Sequence, residues 1–175
     1  YTMSSRSLLA IALKFLLLFS LPSFAYSAET ASSADNLLKL HHLRLAAQKS
    51  LGDFYMYNGM EGDQRYARMI DTSLQNGQAL LGGLTQMPGD GSKALLAQLD
   101  QHWSSYQSEL KVLADTLKTQ GYTDLQPVAD LANHNQQLMA LSAELYSKIQ
   151  QESGRTVSTL TQLSREQSLL MQSIA

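Results

Sequence analysis

The sequence predicts an all-α fold: an antiparallel up-down four-helix bundle with a long C-terminal helix. Three observations predict it. Apolar residues recur at spacings of three and four along the chain, and strand-type alternation is absent. Proline is scarce, with Pro22 near the N-terminus and only Pro88 and Pro127 beyond it. Glycine-rich breaks divide the rest into four stretches, and connections this short make successive helices antiparallel neighbours. Composition agrees. A chain of 175 residues fits one domain. A hydrophobic share of 44% can fill a core, and a charged share of 16% excludes a charge-rich disordered chain.

The first segment reads as an address. Met3 is the expected start, with Tyr1 and Thr2 upstream of it. Arg6 supplies a positive n-region. The stretch from Leu8 to Phe24 is apolar apart from Lys14 and a few small residues. Its uninterrupted part, Phe15 to Phe24, is about half the roughly twenty residues a spanning helix needs. Ser23-Phe24-Ala25 and Ala25-Tyr26-Ser27 both fit a small-x-small cleavage site. Residues 1–27 are therefore expected to be a cleaved signal peptide, with an uncleaved inner-membrane anchor as the alternative. A periplasmic location follows. Losing Arg6 and Lys14 would take the net charge from −2 to −4, because no acid precedes Glu29.

Residues 28–155 are expected to form the bundle. Ser33 to Asp35 offer N-caps for a first helix reaching about Asn58. Leu40, Leu43, Ala47, Phe54 and Asn58 share its stripe, with Ser50 or Leu51 between them. Gly59 to Asp63 make a turn, and Asp63 can cap a second helix. That helix points Tyr66, Ile70, Gly77, Leu80 and Leu84 inward and ends at Gly82-Gly83. The loop Met87-Pro88-Gly89-Asp90-Gly91 follows. Ser92 is the expected cap of the third helix. Its Leu96, Leu99, Trp103, Tyr106, Leu110, Leu113 and Leu117 form a heptad seam, and Gly121 stops it. Thr123 or Asp124 caps the fourth helix, with Pro127 in its first turn, where a missing N–H costs nothing. Leu131, Leu138, Leu145 and Ile149 carry its stripe. Beyond Gly154, the likeness in spacing continues through Leu160, Leu163, Leu170 and Ile174. A helix of about 50 residues would be about 75 Å long. Residues 156–175 therefore overhang, and must project, bend at Gly154 or pair with another chain.

Several chemistries are excluded. The absence of cysteine removes disulfides, thiolate metal sites and cysteine nucleophiles. Net charge −2 gives no basic excess for nucleic acid. His41, His42, His102 and His134 form no HxxxH or HExxH pair. His102 and His134 could meet across helices three and four, although two surface histidines is the plainer reading. There is no Glu-x-x-His pair for a di-iron site, no Gly-x-Ser-x-Gly turn and no phosphate loop. Neither metal nor cofactor is expected, nor is enzymatic activity. The aromatic stretch Asp53 to Asn58 could line a ligand site through Tyr55 and Tyr57; core packing at the bundle end is the competing reading.

The order of motifs resembles the PilJ-type domain, the N-terminal input domain of type IV pilus methyl-accepting chemotaxis transducers, here as a free-standing exported protein. Ala47 to Glu61, Ile70 to Leu74 with Ala79 to Leu81, Gln101 to Tyr106 and Asn135 to Ser142 carry the resemblance in order. Ser164 to Ala175 occupies the place of the family's terminal box. Gln167, Leu170, Gln172, Ile174 and Ala175 agree with that box. Glu166, Ser168 and Ser173 stand where the family has arginines, so the box is degenerate. Related nitrate-sensing domains grip an anion with an arginine in such a box, through the planar fork of a guanidinium. Arg165 is the remaining cation, one residue out of register.

The resemblance implies a sensory or ligand-binding role without catalysis. Arg165, Gln167 and Gln172 are then candidate ligand residues beside Tyr55 and Tyr57. The expected function is a non-enzymatic periplasmic sensory, ligand-binding or accessory module. The alternative is a structural or adaptor protein that pairs its last helix with a membrane receptor or other partner. A small-molecule ligand, a second copy of the chain and a membrane receptor are the partners considered.

Overall fold

A computed structural model describes the backbone of residues 21–174, with side chains from Ala31 to Arg155 and at some positions beyond. The signal-peptide expectation up to Ser20 lies outside the described residues. Four helices make up the described chain: α1 Leu21–Gly59, α2 Gln64–Gly82, α3 Asp90–Gln120 and α4 Leu125–Ile174. No strand occurs among the described residues. Helix α1 packs along α2 and α4, and α3 packs along α4. Helices α2 and α3 approach each other far less closely.

The heptad seams explain this packing. On α1 the residues Ser33, Asn36, Leu40, Leu43, Ala47, Ser50, Phe54 and Tyr57 are all buried. Their three–four spacing keeps one face inward over seven turns. On α3 the buried series is Ser92, Leu95, Leu99, Trp103, Tyr106, Leu110, Leu113 and Leu117. Leu131, Asn135, Leu138, Ser142, Leu145 and Ile149 continue it on α4. Trp103 fills the gap between α2 and α3. Its ring lies so close to Gly77 that a Cβ there would sit 2.2 Å from Cη2. Its indole N–H donates to Gln78 Oε1 at 3.1 Å.

The structure corrects the expected register in several places. Helix α1 does not start at Ser33 to Asp35; it is helical from Leu21, through both candidate cleavage sites. Ser33 is buried instead, and its hydroxyl accepts from Ser153 at 2.7 Å. Ser50, rather than Leu51, completes the α1 stripe. Asn58 is exposed and Tyr57 takes its inward place, since Asn58 falls one residue past the heptad position. On α2, Leu74 and Leu81 are buried while Leu80 is only half-buried. Leu95 replaces Leu96 at the start of the α3 seam. Ser92 is not the cap: α3 begins at Asp90 behind Gly89.

Other boundaries agree. The Asp63 carboxylate accepts from Arg65 N–H at 2.9 Å and caps α2. The Arg65 side chain and backbone hold this carboxyl below its ordinary range. Gly121, in the left-handed region at φ 81°, ends α3. Asp124 immediately precedes α4, while Thr123 donates its hydroxyl to Asn58 Oδ1 at 3.3 Å. Helix α4 runs 50 residues and is not interrupted at Gly154. No helix among the described residues is long and apolar enough to cross a membrane.

Candidate functional site

Three polar contacts fix the direction and register of α1 against α4. Thr123 reaches Asn58, Asn135 Nδ2 donates to Ala47 O at 3.0 Å, and Ser153 reaches Ser33. Rising numbers on one helix meet falling numbers on the other, so the two run antiparallel. The middle contact belongs to a buried network. Asn135 also donates to Tyr106 Oη at 3.1 Å, and Tyr106 shares a 2.7 Å bond with Ser50 Oγ. Ser50 in turn donates to Ala47 O. Burial pushes the Tyr106 phenol up from its ordinary value, so it stays protonated. Enclosed among α1, α3 and α4, these groups satisfy one another and align the helices.

A second polar cluster closes one end of the bundle. The loop between α2 and α3 is held to α1 by Asn36, which donates to Thr85 O at 2.7 Å and accepts from Thr85 N–H. From the other side, Glu152 of α4 reaches the start of α3. Its carboxylate accepts from Ser92 N–H at 3.1 Å and from the Ser92 hydroxyl. The first N–H groups of a helix have no partners within it and carry partial positive charge. Glu152 thus serves as a cap borrowed from a neighbouring helix. Gly89 and Gly91 make room for it, since a Cβ at either would lie 2.6–2.7 Å from the carboxylate.

The sequence-predicted site residues are not brought together. Tyr57 is in the core, with its hydroxyl accepting from Gln64 Nε2 at 3.4 Å. Tyr55, two residues away, is on the opposite side and 45% exposed. Arg165 and Gln167 are exposed on the C-terminal part of α4. Gln172 is on the same part, and its side chain is not among those described. This part of α4 extends from the end of the bundle opposite to Tyr55 and Tyr57, because α4 starts beside Asn58. His102 is exposed on α3. His134 contacts Glu109 through Nδ1, about two turns along α3 from His102. No group of three or more metal-ligating residues occurs among the described residues.

Two further surface features stand out, of which the first was not legible in the sequence and the second was. A shallow groove of about 610 Å³ follows the seam between α1 and α2. Leu45, Ala46, Ala79 and Leu80 give it an apolar lining, with Lys39, His42, Lys49 and Asn76 at its polar positions. Both lysines are already paired, Lys39 with Asp35 and Lys49 with Asp53. Only the packing of α1 on α2 brings these residues together, so no local motif announces them. The other feature is the reach of α4. It continues 21 residues past Ser153, whereas the loop joining α2 to α3 turns back at that level. Along this part Leu163 is 51% and Leu169 65% exposed. Comparison with protein-family models, with curated proteins and with solved structures gives no match to this chain.

Proposed function

We propose that the chain is a non-enzymatic, exported helical module of the PilJ-type kind. In this reading it is an antiparallel up-down four-helix bundle in the periplasm that acts by contact. The contact element is the part of α4 beyond Ser153. The observation that carries this is the reach of α4, with Leu163 and Leu169 exposed beyond the level at which Ser153 meets Ser33 and Glu152 meets Ser92. An isolated amphipathic helix of this length is marginal in water, so it is stabilised by something it packs on. Light scattering and capture from a membrane fraction test this, comparing the chain with one stopped at Arg155. Loss of self-association or of receptor capture supports the reading. The same oligomeric state and the same capture from both chains overturn it.

The groove between α1 and α2 favours a second reading, in which the module binds a small molecule. Its volume falls in the range of ligand clefts. Native mass spectrometry of protein taken from its own cells would show an added mass, removed by Ala46→Trp and Ala79→Trp. Nitrate is not the expected ligand. Glu166, Ser168 and Ser173 supply no guanidinium, and Arg165 is a single exposed cation.

A further inference from the structure

We infer that the groove between α1 and α2 holds a free amphiphilic monoanion, a fatty-acid carboxylate in kind. Its head would sit between Lys49 and Asn76, and its chain along Leu45, Ala46, Ala79 and Leu80. The inference rests on the second reading above, in which this groove binds a small molecule, and adds the chemical class of that molecule.

The groove follows from the contacts along α1. Positions 39, 46 and 53 form one heptad row, and the row faces α2. Lys39 at one end donates to Gly83 O at 3.3 Å. Asp53 at the other end accepts from the Ser73 hydroxyl at 3.0 Å. Midway between these contacts the row carries only Ala46, and α2 carries Ala79. Two methyl side chains do not fill a seam that longer side chains close on either side. A cleft of about 610 Å³ is left, flanked by Leu45 and Leu80. Leu45 is 50% exposed. Removing such apolar area from water is favourable by about 25 cal/mol per Å². An apolar chain is the part of a ligand that achieves it.

Charge selects the head. Lysines line the groove and no acid does. Lys39 and Lys49 stand about 15 Å apart along α1. Lys39 is committed to structure. Its stem lies over Gly83, where a Cβ would meet it at 3.2 Å, and its ammonium serves Asp35 and Gly83 O. Lys49 gives one of its three N–H groups to Asp53, and its side chain is 55% exposed. Asp53 is itself buried and does not line the groove. The Asp53–Ser73 contact sets the local register of the two helices. About one turn from it, Lys49 on α1 falls opposite Asn76 on α2. A carboxylate at that end accepts from the ammonium and the exposed amide together, in charge-assisted bonds. A cationic head would meet no acid there.

Dodecanoate is the probe, kept below its micelle concentration and added to delipidated protein from its own cells. Calorimetry should show binding about tenfold tighter than that of dodecyltrimethylammonium, as a hydrogen bond to a charged group implies. Butyrate, with the same head and little chain, should give no measurable heat. Lys49→Gln should weaken dodecanoate about tenfold, and Lys49→Arg, which keeps a cation beside Asp53, should retain most of the affinity. Two readouts need no variant. Raising the ionic strength should weaken dodecanoate. A diazirine-bearing dodecanoate should label peptides holding Leu45, Ala46, Ala79 or Leu80. Labelling confined to the peptide with Leu163 and Leu169 overturns the inference, as does equal binding of the cationic amphiphile. Binding to phosphatidylglycerol vesicles without binding of the monomer also overturns it, since the chain would then recognise a membrane surface. An added mass on protein from cells that Ala46→Trp removes, beside a failed dodecanoate titration, overturns the ligand class and leaves the groove as a binding site.

Discussion

At the scale of single residues, the tightest fit is Trp103 against Gly77. Close-packed interiors do not absorb an extra methyl at 2.2 Å without moving backbone or ring. Gly77→Ala should cost about 1–3 kcal/mol in urea unfolding, as overpacking does. Trp103→Ala should cost about 3–5 kcal/mol, the range for large buried aromatics. A Gly77→Ala, Trp103→Phe double variant should recover part of the first loss, because the smaller ring leaves room. Tyr106 gives a pH signature. Its phenol is raised above 10.0 in the fold, mainly by burial, so the folded chain holds the proton more tightly than the unfolded one. That contribution is whole below pH about 10 and is lost as pH rises through the folded value. Tyr106→Phe should cost about 1–3 kcal/mol near neutrality, by leaving Asn135 short of an acceptor. It should also flatten the fall in urea midpoint on the alkaline side.

At the scale of helices, the Glu152 cap makes α3 depend on α4. Glu152→Ala should cost about 1–2 kcal/mol and speed amide exchange in the first turn of α3. Glu152→Gln should retain part of the loss, since one side-chain oxygen can still accept from Ser92 N–H. The same contact shows what sequence could and could not reveal. Seams were readable because Leu99, Trp103, Tyr106 and Leu110 repeat at a period the chain itself carries. The start of α3 was read at Ser92 because a serine before a leucine run looks like a cap. The acceptor that actually serves there is 60 residues later, and only tertiary packing brings it in. Ser50 and Asn135 were missed or left open for a related reason. Polar side chains do not mark a core stripe, and these are buried only because they satisfy one another. Tyr55 and Tyr57 looked like a pair in sequence, but a two-residue step on a helix turns one in and the other out.

At the scale of the whole molecule, the described core closes at the level of Ser33, Ser92 and Glu152. A chain stopped at Arg155 should therefore keep its helical circular dichroism. Its urea unfolding free energy should stay within about 1 kcal/mol of the full chain's, which locates the task of residues 156–175 outside the fold. The antiparallel pairing of α1 with α4 has a mechanical consequence. Both helices leave the bundle by the same end, so a hold on either one grips the molecule there. The far end carries Met60 and Tyr122, exposed in turns that Asn58 and Thr123 bring side by side. From Leu125 to Ser153 is about 40 Å of helix. A chain moored through its α1 end would stand as a boom of that height, sweeping those two side chains through a hemisphere well clear of its footing.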